Sequence, residues 1–238
     1  MVKGIKDFEF QNDCVNFLIQ KTVERDSKKV ITVKAPTGAG KTIILIKYID
    51  EYLNNTDNNK VLDVSKKEND IQRYIKENKK WFIPAAIFES YDFGHHEAFI
   101  APEQALGAEY RVDYMLLGRN SIGHQIVLIE FEDVNVDYKI KSANIESDSV
   151  RKGITQIKDW KRWIDSNREY FMNSCGLSNI SRNIPTWGIN YCLVVGRRSR
   201  MDDISNQMRG QSQYEMSALK IMTYDRLVDN VRRLGNGF

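Results

Sequence analysis

A glycine-containing loop between a short strand and a helix limits the folds that the first part of this chain can adopt. The β-branched run Lys29–Lys34, KVITVK, predicts the strand, and the apolar spacing of Ile43–Tyr52 predicts an amphipathic helix. The loop Ala35–Thr42, APTGAGKT, joins them, which is the context of a phosphate-binding loop. Its glycines let backbone N–H groups face a phosphate, its lysine adds a cation, and its threonine hydroxyl suits Mg²⁺. The residues predicted to bind a nucleotide, with ATP as the expected ligand, are Gly38, Gly40, Lys41 and Thr42.

The form APTGAGKT, with alanine where the usual pattern begins with glycine, resembles the first motif of superfamily 2 helicases and restriction-enzyme translocases. Phe10-Gln11 is similar to the glutamine that reads adenine in that group, and Gln11–Arg25 has helical apolar spacing. The polar, turn-rich stretch Asn54–Lys60, NNTDNNK, predicts a domain boundary. We therefore interpret residues 1–60 as a helicase-like P-loop segment and residues 61–238 as a separate domain. A βα fragment of this length cannot bury a sheet by itself, so we expect the segment to be incomplete.

Composition and charge permit a nucleic-acid partner without demanding one. The formal net charge of the 238-residue chain is +3, which is mildly basic. The distant cysteines Cys14, Cys175 and Cys192 predict reduced core thiols, and neither a disulfide framework nor a metal site. Met1–Gln11 lacks the apolar run of a signal peptide, and no stretch approaches the length of a membrane helix. We expect a cytoplasmic protein without a membrane partner.

The second part of the chain is predicted to be an α/β or α+β domain, because helical and strand patterns follow one another along it. Helices are predicted at Lys66–Lys79, Ser149–Phe171, Met201–Met216 and Arg226–Arg233. Strands are predicted at Phe82–Glu89, His96–Ile100, Arg111–Leu117, Gln125–Glu132, Trp187–Val195 and Leu219–Thr223. The turn Gly118–Gly123 predicts that the third and fourth strands form a hairpin.

Three acidic residues fall on this predicted hairpin in the pattern of a metal site. Side chains alternate along a strand, so Glu130 and Glu132 point to one face of the sheet. Asp113, on the paired strand, can reach that same face. Carboxylate oxygens suit Mg²⁺, which lowers the pKa of a bound water and stabilises the leaving oxygen of a phosphodiester. The alternative interpretation is that the apolar run Ile126–Asp133 is the Mg²⁺-binding strand of an ATPase that works with Lys41.

The arrangement resembles nucleases of the PD-(D/E)xK type, which place an Asp on a hairpin, an acid-x-Lys on its second strand and a helix behind. By that resemblance Gln156 orients the site from the helix, and Trp160 follows one turn later. The ordered pieces ENDIQRYIKEN, WFIPAAIF, ALGAEYRVDYMLL, VLIEFE, KGITQIKDWKRWIDSN, YCLVVGRRSRM and LKIMTYDRL resemble the C-terminal nuclease domain of the Shedu family of bacterial anti-phage defence proteins, over Ser65–Arg233. The resemblance implies a restriction-endonuclease-like fold, a Mg²⁺-dependent DNA endonuclease and DNA as partner. The site residues that it implies are Asp113, Glu130, Glu132 and Gln156.

One position departs from that pattern, because Glu132 stands where a lysine is expected. The nearby lysines that can supply the cation are Lys139, Lys141 and Lys152; otherwise the site is a carboxylate variant.

Two other hypotheses stay open: a catalytically degenerate module that binds nucleic acid, and an ATP-binding helicase or translocase fragment. The sequence also leaves open whether the chain forms a homo-oligomer. Two groups of basic residues are predicted to contact phosphates, and the alternative is that they form a solvated charged face. They are Arg197, Arg198 and Arg200 after a predicted strand, and Lys158, Lys161 and Arg162 on the long helix.

Overall fold

A computed structural model describes residue 65 and residues 68–93, 96–177 and 184–236 of the chain. The predicted P-loop segment, residues 1–60, lies outside these residues, and so does the predicted boundary within it. In the described part the predicted α/β fold class is confirmed, since helices flank a five-stranded mixed sheet. No helix of the described residues has the length and apolar character needed to cross a bilayer.

Five strands form the sheet in the order of the sequence, and the described residues also include five α-helices. The strands are β1 (His96–Leu106), β2 (Tyr110–Asn120), β3 (Gly123–Phe131), β4 (Ile189–Val194) and β5 (Leu219–Met222). The helices are α1 (Glu68–Glu77), α2 (Phe82–Ala85), α3 (Asp148–Ser174), α4 (Asp203–Glu215) and α5 (Tyr224–Asn236). β1, β2 and β3 are antiparallel neighbours, whereas β4 runs parallel to β3 and β5 parallel to β4. α3 provides the crossover that the first parallel pair needs.

The β2–β3 hairpin turns at Ser121 and Ile122, so Gly118 lies within β2 and the turn is shorter than predicted. Asn120 Oδ1 accepts hydrogen bonds from the backbone N–H of Ile122 at 2.9 Å and of Gly123 at 3.2 Å. The φ angle of Gly123 is 136°, which residues with a side chain rarely adopt. Local turn chemistry therefore sets the register of the two strands that carry the predicted acids.

Helix α3 covers one face of the sheet and supplies the centre of the core. Its buried apolar side chains recur at helical spacing, and they are Val150, Ile154, Ile157, Trp160, Ile164, Phe171 and Met172. They pack with alternate residues of the strands, among them Met115, Leu128 and Leu193. The backbone leaves helical geometry at Asn167, within the same helix. The prediction of a long helix at Ser149–Phe171 is confirmed.

The opposite face of the sheet carries aromatic rings that join it to α5. The ring centroids of Tyr114 and Phe131 are 5.4 Å apart, and those of Phe131 and Tyr224 are 5.8 Å apart. Trp81, just before α2, lies edge-on to Tyr114 at 6.5 Å. Phe131 lies between the two predicted acids of β3 in sequence, so these rings hold the strand from the side opposite the acids.

The predicted strand at Phe82–Glu89 is wrong. The segment forms α2 and then a 3₁₀ helix at Ala86–Ser90. Pro84 lacks a backbone N–H and lies in the first turn of α2, where that N–H would have no helical partner. Ala86 and Ile87 are both fully buried. A short apolar run of this kind does not distinguish a strand from a buried helix, because tertiary burial decides between them.

Candidate active site

Two of the predicted acids lie at the end of β3: Glu130 is in the strand and Glu132 directly follows it. On the same side of the strand Ile126 and Leu128 belong to the core, and Glu130 and Glu132 follow at the same alternation. Glu130 is 3% exposed and Glu132 is 2% exposed. Burying a carboxylate is costly unless its charge is compensated, so two of them at one strand end indicate a functional site.

The backbone of Glu132 is held on both sides. Its N–H donates to the carbonyl oxygen of Val194 on β4 at 2.9 Å. Its own carbonyl oxygen accepts a hydrogen bond of 2.6 Å from the buried hydroxyl of Tyr224 on α5. The sequence does not single out Tyr224, because its contact with Glu132 joins residues 92 positions apart. Strand and helix together therefore fix the end of β3.

Asp113 lies beside the β3 acids, as its place on the hairpin predicts. The register pairs Tyr114 with Ile129, which brings Asp113 next to the acidic end of β3. Asp113 Oδ2 accepts a hydrogen bond of 2.7 Å from the backbone N–H of Phe131, the residue between the two glutamates. Burial raises the pKa of the neighbouring Tyr114 phenol, and the Asp113 carboxylate raises it further. The structure thus brings the three predicted acids to one end of the β2–β3 pair.

The side chains of the three acids are not grouped closely enough in this structure to hold a metal ion. Across residues 68–93, 96–177 and 184–236, no three or more His, Cys, Asp or Glu side chains are grouped so that they could hold a metal ion. The chemistry of the donors nevertheless fits Mg²⁺, which takes carboxylate oxygens. A cation also already lies at this position, because a lysine ammonium is in contact with Glu132.

That cation belongs to Lys152, one of the three lysines considered above. Lys152 Nζ lies 3.0 Å from Glu132 Oε1. The other two lysines pair elsewhere: Lys139 Nζ lies 3.2 Å from Asp202, and Lys141 Nζ lies 3.5 Å from Asp137. The structure therefore brings Lys152 to the predicted acids and places the other two against other carboxylates.

The approach of α3 to this end of the sheet depends on Gly153. A Cβ atom added there would lie 2.5 Å from Leu193 Cδ1 and 3.0 Å from Glu132 Cγ. Real Cβ atoms essentially never approach a neighbour as closely as the first of these distances. A glycine in the interior of a helix is the sequence signal that could have indicated this contact.

A cleft of about 710 Å³, which we name the α3 cleft, opens between the start of β2 and the first turns of α3, and Lys152 is the residue of its wall that contacts Glu132. Its walls include Tyr110, Arg111, Arg151, Lys152, Gln156 and Asp159. Gln156 therefore faces this cleft, while Trp160, one turn later, is fully buried in the core. Sequence reasoning missed Arg111 and Arg151, although Arg111 precedes Asp113 by two residues and so shares its side of β2.

The basic loop after β4 is occupied by ion pairs. Arg197 Nε lies 3.1 Å from Asp225, Arg198 contacts Asp229, and Arg200 Nη1 lies 3.2 Å from Asp137. On α3, Lys161 pairs with Asp165 and Arg162 with Asp159. These contacts favour a structural role for the loop over the predicted phosphate contacts. Lys158 lines a smaller pocket of about 250 Å³ between α3 and α4.

The predicted nucleotide-binding residues lie outside the described residues, and they are Gly38, Gly40, Lys41 and Thr42. Their role stays a prediction.

Comparisons with known proteins place this site in a family. The family model described as Shedu protein SduA, C-terminal, matches residues 65–228. A model described as type III restriction enzyme, res subunit, matches residues 5–105, and no curated protein matches the chain. The solved structure of the restriction endonuclease FokI is similar with a TM-score of 0.41 and 7% identity, over 85% of this chain and 32% of that chain. Because the first match spans more than half of the sequence and contains all of the site described above, the chain belongs to the Shedu family.

Proposed function

We propose that this protein is a Mg²⁺-dependent endonuclease that cleaves DNA in anti-phage defence. Membership of the Shedu family supports a nuclease that acts in defence. The observation that carries the proposal is the pair of buried carboxylates at the end of β3, with Asp113 alongside. Carboxylates are buried at such cost that a site-forming role accounts for them better than chance does.

Asp113, Glu130 and Glu132 are the residues that would hold Mg²⁺. When bound, the ion would lower the pKa of a water molecule and stabilise the leaving oxygen of a phosphodiester. The chain itself contributes fixed geometry, because the Glu132 backbone is held by Val194 and Tyr224. Gln156 lines the α3 cleft from the helix side, and its proposed role is to orient the site from there.

The α3 cleft supplies the chemistry that recognises a nucleic-acid backbone. Arg111, Arg151 and Lys152 line it together with the acids Glu109 and Asp159. Arg111 pairs with Glu103 and Arg151 with Asp148, but both pairs are exposed and therefore weak, so a phosphate can replace these partners. Cationic side chains of this kind make the sequence-independent phosphate contacts of DNA-binding proteins. Lys152 both lines the cleft and contacts Glu132, so this residue links a phosphodiester bound in the cleft to the acids.

Plasmid nicking with Mg²⁺ tests the proposal. We expect Asp113→Asn and Glu130→Gln to abolish cleavage while circular dichroism and the melting temperature show a folded protein, since each change removes a negative charge and keeps the shape.

Gln156→Ala should slow cleavage about 10- to 100-fold, as the loss of a group that supports ligand geometry typically does. Glu169→Gln, on an exposed part of α3, is the matched control and should leave cleavage unchanged. Full cutting by folded Asp113→Asn or Glu130→Gln would refute the assignment.

A second candidate function is a module that binds DNA without cutting it. Glu132 in the place of lysine favours this candidate, and so does the lack of a metal-holding group among the residues that the structure describes. Both candidates use the same cleft, so affinity alone does not separate them. Tight DNA binding by fluorescence anisotropy, together with no Mg²⁺-dependent nicking by the wild-type protein, would select the binding module.

A further inference from the structure

Lys152 lies between a buried carboxylate and an open cleft. Its ammonium is 3.0 Å from Glu132 Oε1, the side chain of Lys152 is 58% exposed and that of Glu132 is 3% exposed. Lys152 also lines the α3 cleft, as does Gln156 one turn later on the same helix. The ammonium therefore has a fixed acid on one side and space for a ligand on the other.

Two structural features determine where this ammonium lies. Gly153, the next residue, lets α3 approach Leu193 and Glu132 so closely that a Cβ atom added there would lie 2.5 Å from Leu193 Cδ1 and 3.0 Å from Glu132 Cγ. The acid that Lys152 contacts is itself immobilised, because Val194 and Tyr224 bind both backbone groups of Glu132. A cation held against a fixed partner is preorganised, and that is the condition under which a charge stabilises a transition state efficiently.

We propose that Lys152 is the catalytic lysine of this site, supplied by helix α3 because the strand position that would carry it holds Glu132. This inference rests on the proposed nuclease function. The two other nearby lysines are engaged with Asp202 and Asp137, so they do not compete for the role. The substrate that Lys152 contacts is a phosphodiester in the α3 cleft.

The role of Lys152 in hydrolysis is electrostatic. A water oxygen bonds to phosphorus and one P–O ester bond breaks. The proton lost by the water passes to solvent, and the leaving oxygen takes a proton from solvent. Lys152 keeps its own protons throughout and donates hydrogen bonds to a phosphoryl oxygen, where negative charge increases in the transition state.

A purely structural role makes different predictions. If Lys152 served only to compensate the buried charge of Glu132, its loss would lower stability and would affect cleavage only through the folded fraction. It would then leave the salt dependence of DNA binding unchanged, because no phosphate contact would be lost.

The first test compares Lys152→Met with Lys141→Met. Lys141 is the control because its side chain is 87% exposed and pairs with Asp137. In single-turnover cleavage at saturating Mg²⁺, with rates per folded protein, Lys152→Met should lose about 100-fold or more, as removal of one preorganised charge-stabilising group does. In EDTA, the slope of log affinity for duplex DNA against log salt should fall by about 1 for Lys152→Met. Lys141→Met should leave the cleavage rate unchanged.

A pair of conservative variants covers the case in which Lys152→Met is unstable. Lys152→Arg keeps the positive charge beside Glu132, whereas Lys152→Gln keeps a polar side chain without the charge. We expect Lys152→Arg to cleave faster per folded protein than Lys152→Gln. Wild-type cleavage by folded Lys152→Met, or equal cleavage by folded Lys152→Arg and Lys152→Gln, overturns the inference.

The outcomes also separate this inference from the proposed function. A wild-type protein that cuts, with an inactive Glu130→Gln and a fully active Lys152→Met, refutes the lysine assignment and leaves the nuclease intact. A wild-type protein that shows no cleavage above that of Glu130→Gln refutes both.

Discussion

At the scale of single residues, Gly153 controls the distance between the helix that carries Lys152 and Gln156 and the strand that carries the acids. Its hydrogen occupies the space in which any side chain would meet Leu193 at 2.5 Å. The contact is with a branched side chain in a fully buried position, so the neighbour has little room to move. Glycine in a helix interior lowers stability because it loses more backbone freedom on folding than other residues. At this position it also allows α3 to pack closely against the site.

Gly153→Ala should therefore destabilise the protein and impair the site together. Overpacking of this kind costs typically about 1–3 kcal/mol, which exceeds the gain expected from a better helix former. Urea unfolding followed by circular dichroism measures the first effect. Mg²⁺-dependent nicking per folded protein measures the second, and we expect it to fall because Lys152 moves away from Glu132.

Gly210→Ala is the matched control, because Gly210 also lies inside a helix but nothing lies within 4 Å of the Cβ that it would gain. This change should stabilise the protein by about 0.5–1 kcal/mol through helix propensity, and cleavage should be unchanged. A Gly153→Ala protein that is as stable and active as Gly210→Ala would show that α3 can shift without cost.

At the scale of the element, α4 depends on a charged cap. Asp202 precedes the helix, and its carboxylate accepts a hydrogen bond of 2.8 Å from the backbone N–H of Ser205. Hydrogen bonds from Ser205 lower the pKa of Asp202 from 3.8 to about 2, and Lys139 at 3.2 Å adds to the effect. The cap therefore links the start of α4 to the loop that follows β3.

The stability that Asp202 contributes should depend on pH with a definite sign. A carboxyl whose pKa is lower in the folded state stabilises the fold above its usual pKa of 3.8, and that contribution is lost as pH falls towards 2. Asp202→Asn keeps the capping geometry without the charge. We expect the wild type to melt above Asp202→Asn near neutral pH, with a difference that shrinks as pH falls below 3.8. Asp203→Asn, one residue further on, is the control, and a difference independent of pH would contradict the assignment.

At the scale of the whole molecule, the proposed nuclease site draws its residues from one part of the chain. The acids, Lys152, Gln156 and the α3 cleft come from β2, β3 and α3. The predicted nucleotide-binding loop belongs to residues 1–60, for which the sequence supplies one predicted strand. We therefore expect DNA cleavage to be independent of ATP.

Lys41→Ala should leave Mg²⁺-dependent nicking unchanged, with or without ATP. Calorimetric titration of the intact chain with ATP and Mg²⁺ should show weak binding at most. Ordering a loop costs roughly 1–2 kcal/mol per residue, so several residues cancel most of a micromolar interaction of about 8 kcal/mol. Low-micromolar ATP binding that Lys41→Ala abolishes, together with ATP-stimulated cleavage, would support the helicase or translocase interpretation instead.

Features that depend on local periodicity could be predicted from the sequence alone. Alternation along β3 places Glu130 and Glu132 on one side, and spacing along α3 places Trp160 in the core. The β2–β3 hairpin was also predictable, because the residues that turn it, Asn120 and Gly123, are adjacent to the turn. Such patterns reflect the repeat of a single element and need no knowledge of its neighbours.

Which distant groups meet could not be predicted in this way, because it depends on how the elements pack against one another. Lys139, Lys141 and Lys152 were equivalent candidates in the sequence, and the packing of α3 through Gly153 brought Lys152 to Glu132. The segment Phe82–Glu89 became helical for a similar reason, since its apolar run fits either conformation and burial selects one. Contacts between elements depend on how closely and at what angle they pack, and that is set by the shapes of all the side chains in the core together rather than by any local pattern.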